Sequence, residues 1–204
     1  MHRVVLATGN RGKAREISQL LGPGWQLLLQ SELGVRPVAE TGTGFAENAL
    51  LKARHAAAAT GLPALADDSG LEVDALGGAP GVRSARYAGE DASDADNVRH
   101  LLEEMAGLPA GRRTARFRCV LAYVRTGDDP RPLLAEGVWE GAVATAPRGT
   151  AGFGYDPVFE DGQSGLTAAE LPAGRKDELS HRGQALRVLR QLLGPDSSGV
   201  PGRV

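Results

Sequence analysis

Apolar residues along this chain change their spacing several times, and each change predicts an element. Val4-Val5-Leu6-Ala7 is a continuous apolar run closed by Thr8-Gly9-Asn10, the pattern of a buried strand entering a tight turn. From Lys13 to Leu21 the apolar positions fall at helical spacing (Ile17, Leu20, Leu21) and stop at Gly22-Pro23. The opening unit is therefore strand, glycine turn, helix. Trp25 to Leu29 predicts a second strand, and Phe45 to Thr60 a long alanine-rich helix ended by Gly61 and Pro63. Leu65-Ala66 leads into Asp67-Asp68-Ser69-Gly70, which puts the two aspartates where a strand gives way to a loop.

The second half reads similarly. Gly77 to Asp91 is turn-rich and predicts a flexible loop or lid. Ser93 to Met105 predicts a helix, with Ser93 and Asp96 forming a capping box. Arg116 to Val124 alternates, with Phe117, Cys119, Leu121 and Tyr123 on one side, and Leu133 to Trp139 is its expected antiparallel neighbour. Thr167 with Glu170 suggests a further capping box, and Ser180 is positioned to cap a helix from His181 to Leu193. We expect one domain over residues 1–194 and a flexible C-terminal tail at 195–204, rich in Ser, Gly and Pro.

A chain of 204 residues buries enough surface to stand without covalent staples. A single cysteine, Cys119, rules out an intrachain disulfide and fits a reducing, cytoplasmic setting, where it would fill core space. The apolar N-terminal run is too short for a signal segment or membrane span. Lys+Arg 23 against Asp+Glu 25 leaves a formal charge of -2, and aromatic residues make up 4%, so neither a polyanion track nor a base-stacking platform for nucleic acid is expected. Any phosphate binding has to be local.

Thr8-Gly9-Asn10-Arg11-Gly12-Lys13 sets two glycines and a lysine between a strand and a helix, where backbone N–H groups and the helix dipole favour phosphate. It is not a Walker A loop, because two residues separate the glycines and Ala14 follows the lysine. The same pattern also serves as an ordinary strand-to-helix connection. Asp67 and Asp68 are adjacent carboxylates that cannot both be buried and ionised without a cation, for which Mg²⁺ suits acids shared with substrate phosphates. Glu40, Glu47 and Asp74 are further candidate ligands, and a solvated acidic turn is the alternative. Phe153-Gly154-Tyr155-Asp156-Pro157 offers aromatic faces flanked by glycine, suited to a planar base or to core packing. Lys176 and Ser180-His181-Arg182-Gly183 bring cations to a helix start, where the dipole disfavours them unless an anion or carbonyl is near. His181 alone would equally serve as a structural or exposed histidine.

Six ordered motifs give the chain a resemblance to the inosine triphosphate pyrophosphatase family, over Val4 to about Leu193. They are Thr8 to Lys13; Glu40-Thr41-Gly42 with Phe45 to Ala49 and Lys52-Ala53; Ala66 to Leu71; Leu76 to Gly81 with Ser84 to Tyr87; Gly152 to Pro157; and Ser180 to Ala185. The resemblance implies an α/β fold with an elongated mixed β-sheet and flanking helices, two lobes around a central cleft, and a homodimer. It implies a magnesium-dependent hydrolase that cleaves dITP, ITP or XTP to the monophosphate and pyrophosphate. Carried onto matching positions, it assigns Thr8, Gly9, Asn10, Arg11, Gly12, Lys13 and Lys52 to the triphosphate, and Glu40 and Asp68 to Mg²⁺, with Asp68 also the general base. Ser69, Phe153, Gly154, Tyr155, Asp156, Lys176, His181 and Arg182 are assigned to the nucleoside. Selectivity for such purines needs donors at the six-position oxygen, which Arg182 and nearby backbone N–H groups can supply. A silent nucleotide sensor and a pyrophosphatase for modified pyrimidine nucleotides remain as alternatives.

Overall fold

The computed structural model describes residues 2–22 and 24–194, so the expected tail lies outside the described residues. The elements are β1 (His2–Leu6), α1 (Arg11–Leu21), β2 (Trp25–Leu29), α2 (Phe45–Thr60), β3 (Ala64–Val73), α3 (Asp94–Glu104), β4 (Thr114–Val124), β5 (Leu133–Val143), β6 (Phe159–Asp161), α4 (Ala173–Leu179) and α5 (His181–Leu193). The strands form one sheet in the order β2-β1-β3-β4-β5-β6. β1 runs parallel to β2 and β3, whereas β5 and β6 are antiparallel, so the sheet is mixed and the fold is α/β.

Local chemistry explains the boundaries. Asn10 caps α1 by accepting from Lys13 N, and Gly61 ends α2 in the left-handed conformation with its N–H on Ala57 O. The capping box of Ser93 and Asp96 starts α3 as expected. β2 and α2 begin and end where the apolar pattern places them.

Three expectations change. β3 does not stop at the aspartates but continues to Val73, because their charges meet cations from other elements instead of water. The segment after it is ordered into short 3-10 turns at Asp74–Leu76 and Gly81–Arg86, with Ser84 Oγ held on Gly81 O. Thr167 does accept a partner in Glu170, whose carboxylate takes the Thr167 N–H, but the pair closes a turn, and the helix starts after Pro172.

The chain divides into two compact units. The first comprises residues to Asp68, Cys119–Gly137 and the chain from Arg182; the second comprises Ser69–Arg118 and Val138–His181. Each has its own core. In the first, Ile17 and Leu21 of α1 and Ala185, Leu186 and Leu189 of α5 pack on Val4, Leu6, Leu65, Cys119 and Leu121. In the second, Val98, Leu101 and Met105 of α3 gather with Leu71, Val73, Phe117, Trp139, Val143 and Phe159. Phe117 and Trp139 lie 4.4 and 5.0 Å from Phe159 between ring centroids, a compact aromatic centre.

Candidate active site

In the first unit the parallel register Leu6↔Leu65 carries β3 past the C-terminal end of β1. That edge of a parallel sheet is where open α/β proteins bind ligands. The turn from Thr8 to Lys13 leaves the same end of β1: Thr8 Oγ1 accepts from Asn10 N, and Asn10 Oδ1 accepts from Lys13 N at 3.0 Å. The first-turn N–H groups of α1 have no intrahelical acceptors and suit an anion.

Successive strand residues point to opposite faces, and this separates the two aspartates. Asp67 turns to the face covered by α1 and α5. Lys13 Nζ lies 2.5 Å from its Oδ1, while Arg182 Nε donates to Oδ2 at 2.9 Å and Cys119 Sγ lies 3.1 Å from the same oxygen. Glu16 takes the other end of the Arg182 guanidinium. Asp67 and Arg182 are 1% and 2% exposed, so these charges are removed from water and depend on one another. Burial works to raise the Asp67 carboxyl, but Arg182 and Lys13 outweigh it and hold the group well below the usual carboxylate range. Burial and the Asp67 charge push the Cys119 thiol well up.

Asp68 turns to the other face, toward α2. Lys52 Nζ lies 2.7 Å from Asp68 Oδ1 and 2.7 Å from Glu40 Oε1. Asp68 Oδ2 is buried and has no hydrogen-bond partner. Burial pushes the Asp68 carboxyl up, with Lys52 pulling the other way. Lys52 sits above its ordinary value: burial opposes its charge, yet Asp68 and Glu40 prevail. Three side chains of α2 tie down the segment that carries Glu40. Lys52 holds Glu40 itself, Asn48 Oδ1 accepts from Gly42 N at 2.8 Å, and Glu47 accepts from Thr43 N at 2.8 Å. Glu47 is thus a tether, and Asp74 pairs with Arg116 at 2.9 Å in the second unit.

Among the described residues no group of three or more His, Cys, Asp or Glu side chains gathers as a metal site. Mg²⁺ needs no such cage: one or two carboxylates with substrate phosphates and water suffice. Glu40 and Asp68, joined through one ammonium and leaving a buried carboxylate oxygen unpartnered, fit that requirement.

In the second unit, Asp156 Oδ2 accepts from Phe153 N at 2.8 Å and from Lys176 Nζ at 2.7 Å, and Asp94 Oδ2 accepts from Gly154 N at 2.7 Å. Gly152 has φ +81°, and a Cβ there would fall 2.0 Å from Asp156 Oδ2, so the turn admits only glycine. The Lys176 ammonium lies 5.6 Å from the Phe153 ring centroid. A cavity of about 540 Å³ adjoins this loop, lined by Phe153, Gly154 and Pro157 and by Asp94, Val98 and Leu102 of α3. Tyr155 is buried, its hydroxyl donating to Ser84 O at 2.9 Å. His181 stacks on Phe117 at 4.8 Å and 18°. Ser69 lies in β3 immediately after Asp68.

The first unit therefore gathers Lys13, Lys52, Glu40 and Asp68 around the middle of β3, and Arg182 joins them as the partner of Asp67. The second gathers Phe153, Gly154, Asp156 and Lys176 into one loop assembly. Sequence inspection missed Glu16, Asn48 and Asp94 as partners, and read Cys119 only as core filler. Asp94 alone left a trace, as an acid in the first turn of a clearly capped helix.

A parallel sheet edge with a capped glycine turn and an enclosed acid-lysine cluster defines an α/β protein built to hold a charged ligand. The chain belongs to the Ham1 family, which matches residues 4–192. It is 56% identical over 194 residues to the dITP/XTP pyrophosphatase of Escherichia coli (strain K12), covering 95% of this chain and 98% of that one. It is 57% identical over 190 residues to the dITP/XTP pyrophosphatase of Vibrio parahaemolyticus, covering 93% and 95%. Among solved structures, a HAM1 protein from Coxiella burnetii superposes with a TM-score of 0.86 at 48% identity, covering 95% of this chain and 98% of the other.

Proposed function

We propose that this chain hydrolyses damaged or non-standard purine nucleoside triphosphates (dITP, ITP and XTP) to the monophosphate and pyrophosphate. The carrying observation is Asp68, an enclosed strand acid with one oxygen on Lys52 and the other without a partner. A buried carboxylate oxygen is costly unless a donor or cation meets it, and an attacking water or a divalent ion supplies one. The relatives' names agree on the substrate class.

Asp68 takes the proton as the water oxygen bonds to the α-phosphorus; the bond from that phosphorus to the bridging oxygen breaks, and pyrophosphate departs with the electron pair. Lys13, Lys52 and the loop from Thr8 to Gly12 hold the phosphates, so most of the acceleration is positioning and electrostatics. Glu40 and Asp68 would hold Mg²⁺, which when bound would neutralise charge on the phosphates.

Ser69, His181 and the Phe153 to Asp156 loop serve the nucleoside, with the base stacked on Phe153. Arg182 is wholly buried between Asp67 and Glu16, whereas the Lys176 ammonium, with Asp156 as its salt-bridge partner, lies at the Phe153 ring, so we assign the donor for the six-position oxygen to Lys176. Adenine presents an amino group there, and a buried donor left facing it costs about 1–3 kcal/mol, which rejects ATP about tenfold to hundredfold. Residues 1–194 act as one pyrophosphatase domain, and the protein works in the cytoplasm as a homodimer without nucleic acid or membrane partners. No helix among the described residues is long and apolar enough to cross a membrane.

The test is a panel of ITP, dITP, XTP, ATP, dUTP and methylated dTTP with Mg²⁺, scored for pyrophosphate and orthophosphate. Pyrophosphate from the inosine and xanthosine nucleotides is expected. Equal turnover of ATP and ITP, or orthophosphate alone, overturns the proposal.

A further inference from the structure

We propose that Asp67 is a positioning residue for the reaction: it aims the Lys13 ammonium at the phosphates and takes no part in proton transfer or metal binding itself. The inference rests on the function proposed above.

The two oxygens of Asp67 have different partners. Oδ2 is held by Arg182 Nε at 2.9 Å and lies 3.1 Å from Cys119 Sγ, whereas Oδ1 meets Lys13 Nζ at 2.5 Å. The groups on Oδ2 belong to the packed interior. Cys119 is wholly buried in β4, and Arg182 lies in the first turn of α5, one turn before the core residues Ala185 and Leu186, with its far side fixed by Glu16. Carboxylate orientation is thereby set from behind, and the remaining oxygen presents one fixed point to the lysine.

Lys13 is held at its other end too, since its backbone N donates to Asn10 Oδ1 at 3.0 Å in the cap of α1. A long, flexible side chain pinned at backbone and ammonium has little rotamer freedom left to lose when substrate arrives. An ammonium carries three donors, so one bond to Asp67 leaves donors for phosphate oxygens. Arg182 gives the acid a second positive counter-charge, so Lys13 keeps its attraction for an anion. Asp67 has a side chain of 0% exposure, on the opposite strand face from Asp68, and meets its partners there without reaching solvent.

A double-mutant cycle tests this with steady-state ITP hydrolysis and inhibition by inorganic pyrophosphate. Lys13→Met and Asp67→Asn are each expected to lower kcat/KM about tenfold to hundredfold, as for loss of a charge-assisted contact. The double variant should be no worse than Lys13→Met, and pyrophosphate inhibition should weaken in parallel. Additive losses, or a normal kcat/KM in Asp67→Asn, overturn the inference.

Asp67→Asn leaves Arg182 short of a buried counter-charge and so risks the fold. Asp67→Glu keeps the charge while displacing the oxygens. Its loss of kcat/KM should appear with Lys13 present and vanish in the Lys13→Met background; an equal loss in both backgrounds indicates a general structural role and overturns the inference. A wild-type enzyme that releases no pyrophosphate from ITP refutes the proposed function instead, so the two failures are distinguishable.

Discussion

The two halves of the candidate machinery are built from different forces. Around the middle of β3, in the first unit, side-chain charges hold side-chain charges: Lys13 and Arg182 flank Asp67, Glu16 takes the far end of Arg182, and Lys52 bridges Glu40 and Asp68. In the loop of the second unit, two carboxylates grip backbone N–H groups, and glycine supplies the conformation. The first arrangement should be sensitive to the sign of a charge at nearly constant volume, the second to a single added methyl group. The difference follows from placement. Strand residues enclosed by helices need ionic partners because water is excluded, whereas a loop needs its backbone fixed before it presents a surface.

The sharpest way to break that contrast is Asp68→Asn. It conserves volume and should cut kcat about a hundredfold to ten-thousandfold while the circular dichroism spectrum stays native. Near-normal turnover would remove Asp68 from catalysis. On the other side, Lys176→Met keeps length and removes the charge, and should lower the ratio of kcat/KM for ITP over ATP about tenfold to hundredfold. An unchanged ratio would return the reading of the base to another residue. A methyl group alone should suffice at Gly152→Ala, where it collides with Asp156 and φ is positive; we expect a loss of about 1–3 kcal/mol in urea unfolding, together with a raised KM. Full stability in that variant would show that the loop adapts.

The smallest effect is expected at the α3 cap. Ser93→Ala should cost about 1 kcal/mol without changing kcat, measured by thermal unfolding. Its partner Asp96 supplies a pH signature, because the Ser93 hydroxyl and N–H and the Arg99 guanidinium lower its carboxyl from 3.8 to about 2. A depressed acid stabilises the fold above its unfolded value, so the stability difference between wild type and Asp96→Asn should be complete above about pH 4 and fade as pH falls to 2. A difference that grows on acidification would contradict the cap.

The same contrast explains what the sequence revealed. α2, β2 and the capped α3 were legible because their signals are local: alanine periodicity, a five-residue apolar run, and Ser93 three residues before Asp96. The continuation of β3 through Asp67-Asp68-Ser69-Gly70 was not, since its composition is that of a turn and the cations stabilising it come from Lys13, Lys52 and Arg182, distant in sequence. β5 likewise extends four residues beyond Trp139, because Gly141, which looks like a strand breaker, admits β6 so closely that a Cβ would lie 2.1 Å from Glu160 O. The site motifs were visible as residue types, but their pairing was not. Nothing local in Arg182 indicates that it faces Asp67 and Glu16.

The pleat of β3 has a consequence for how this chain tolerates change. Asp67 and Asp68 look interchangeable in composition, yet alternation delivers one to the α1/α5 side and the other to the α2 side. Deleting or inserting one residue just upstream would turn each acid to the opposite face, and only one of the two could then reach the other's cations. The spacing between Leu65 and Asp68 is therefore fixed by parity.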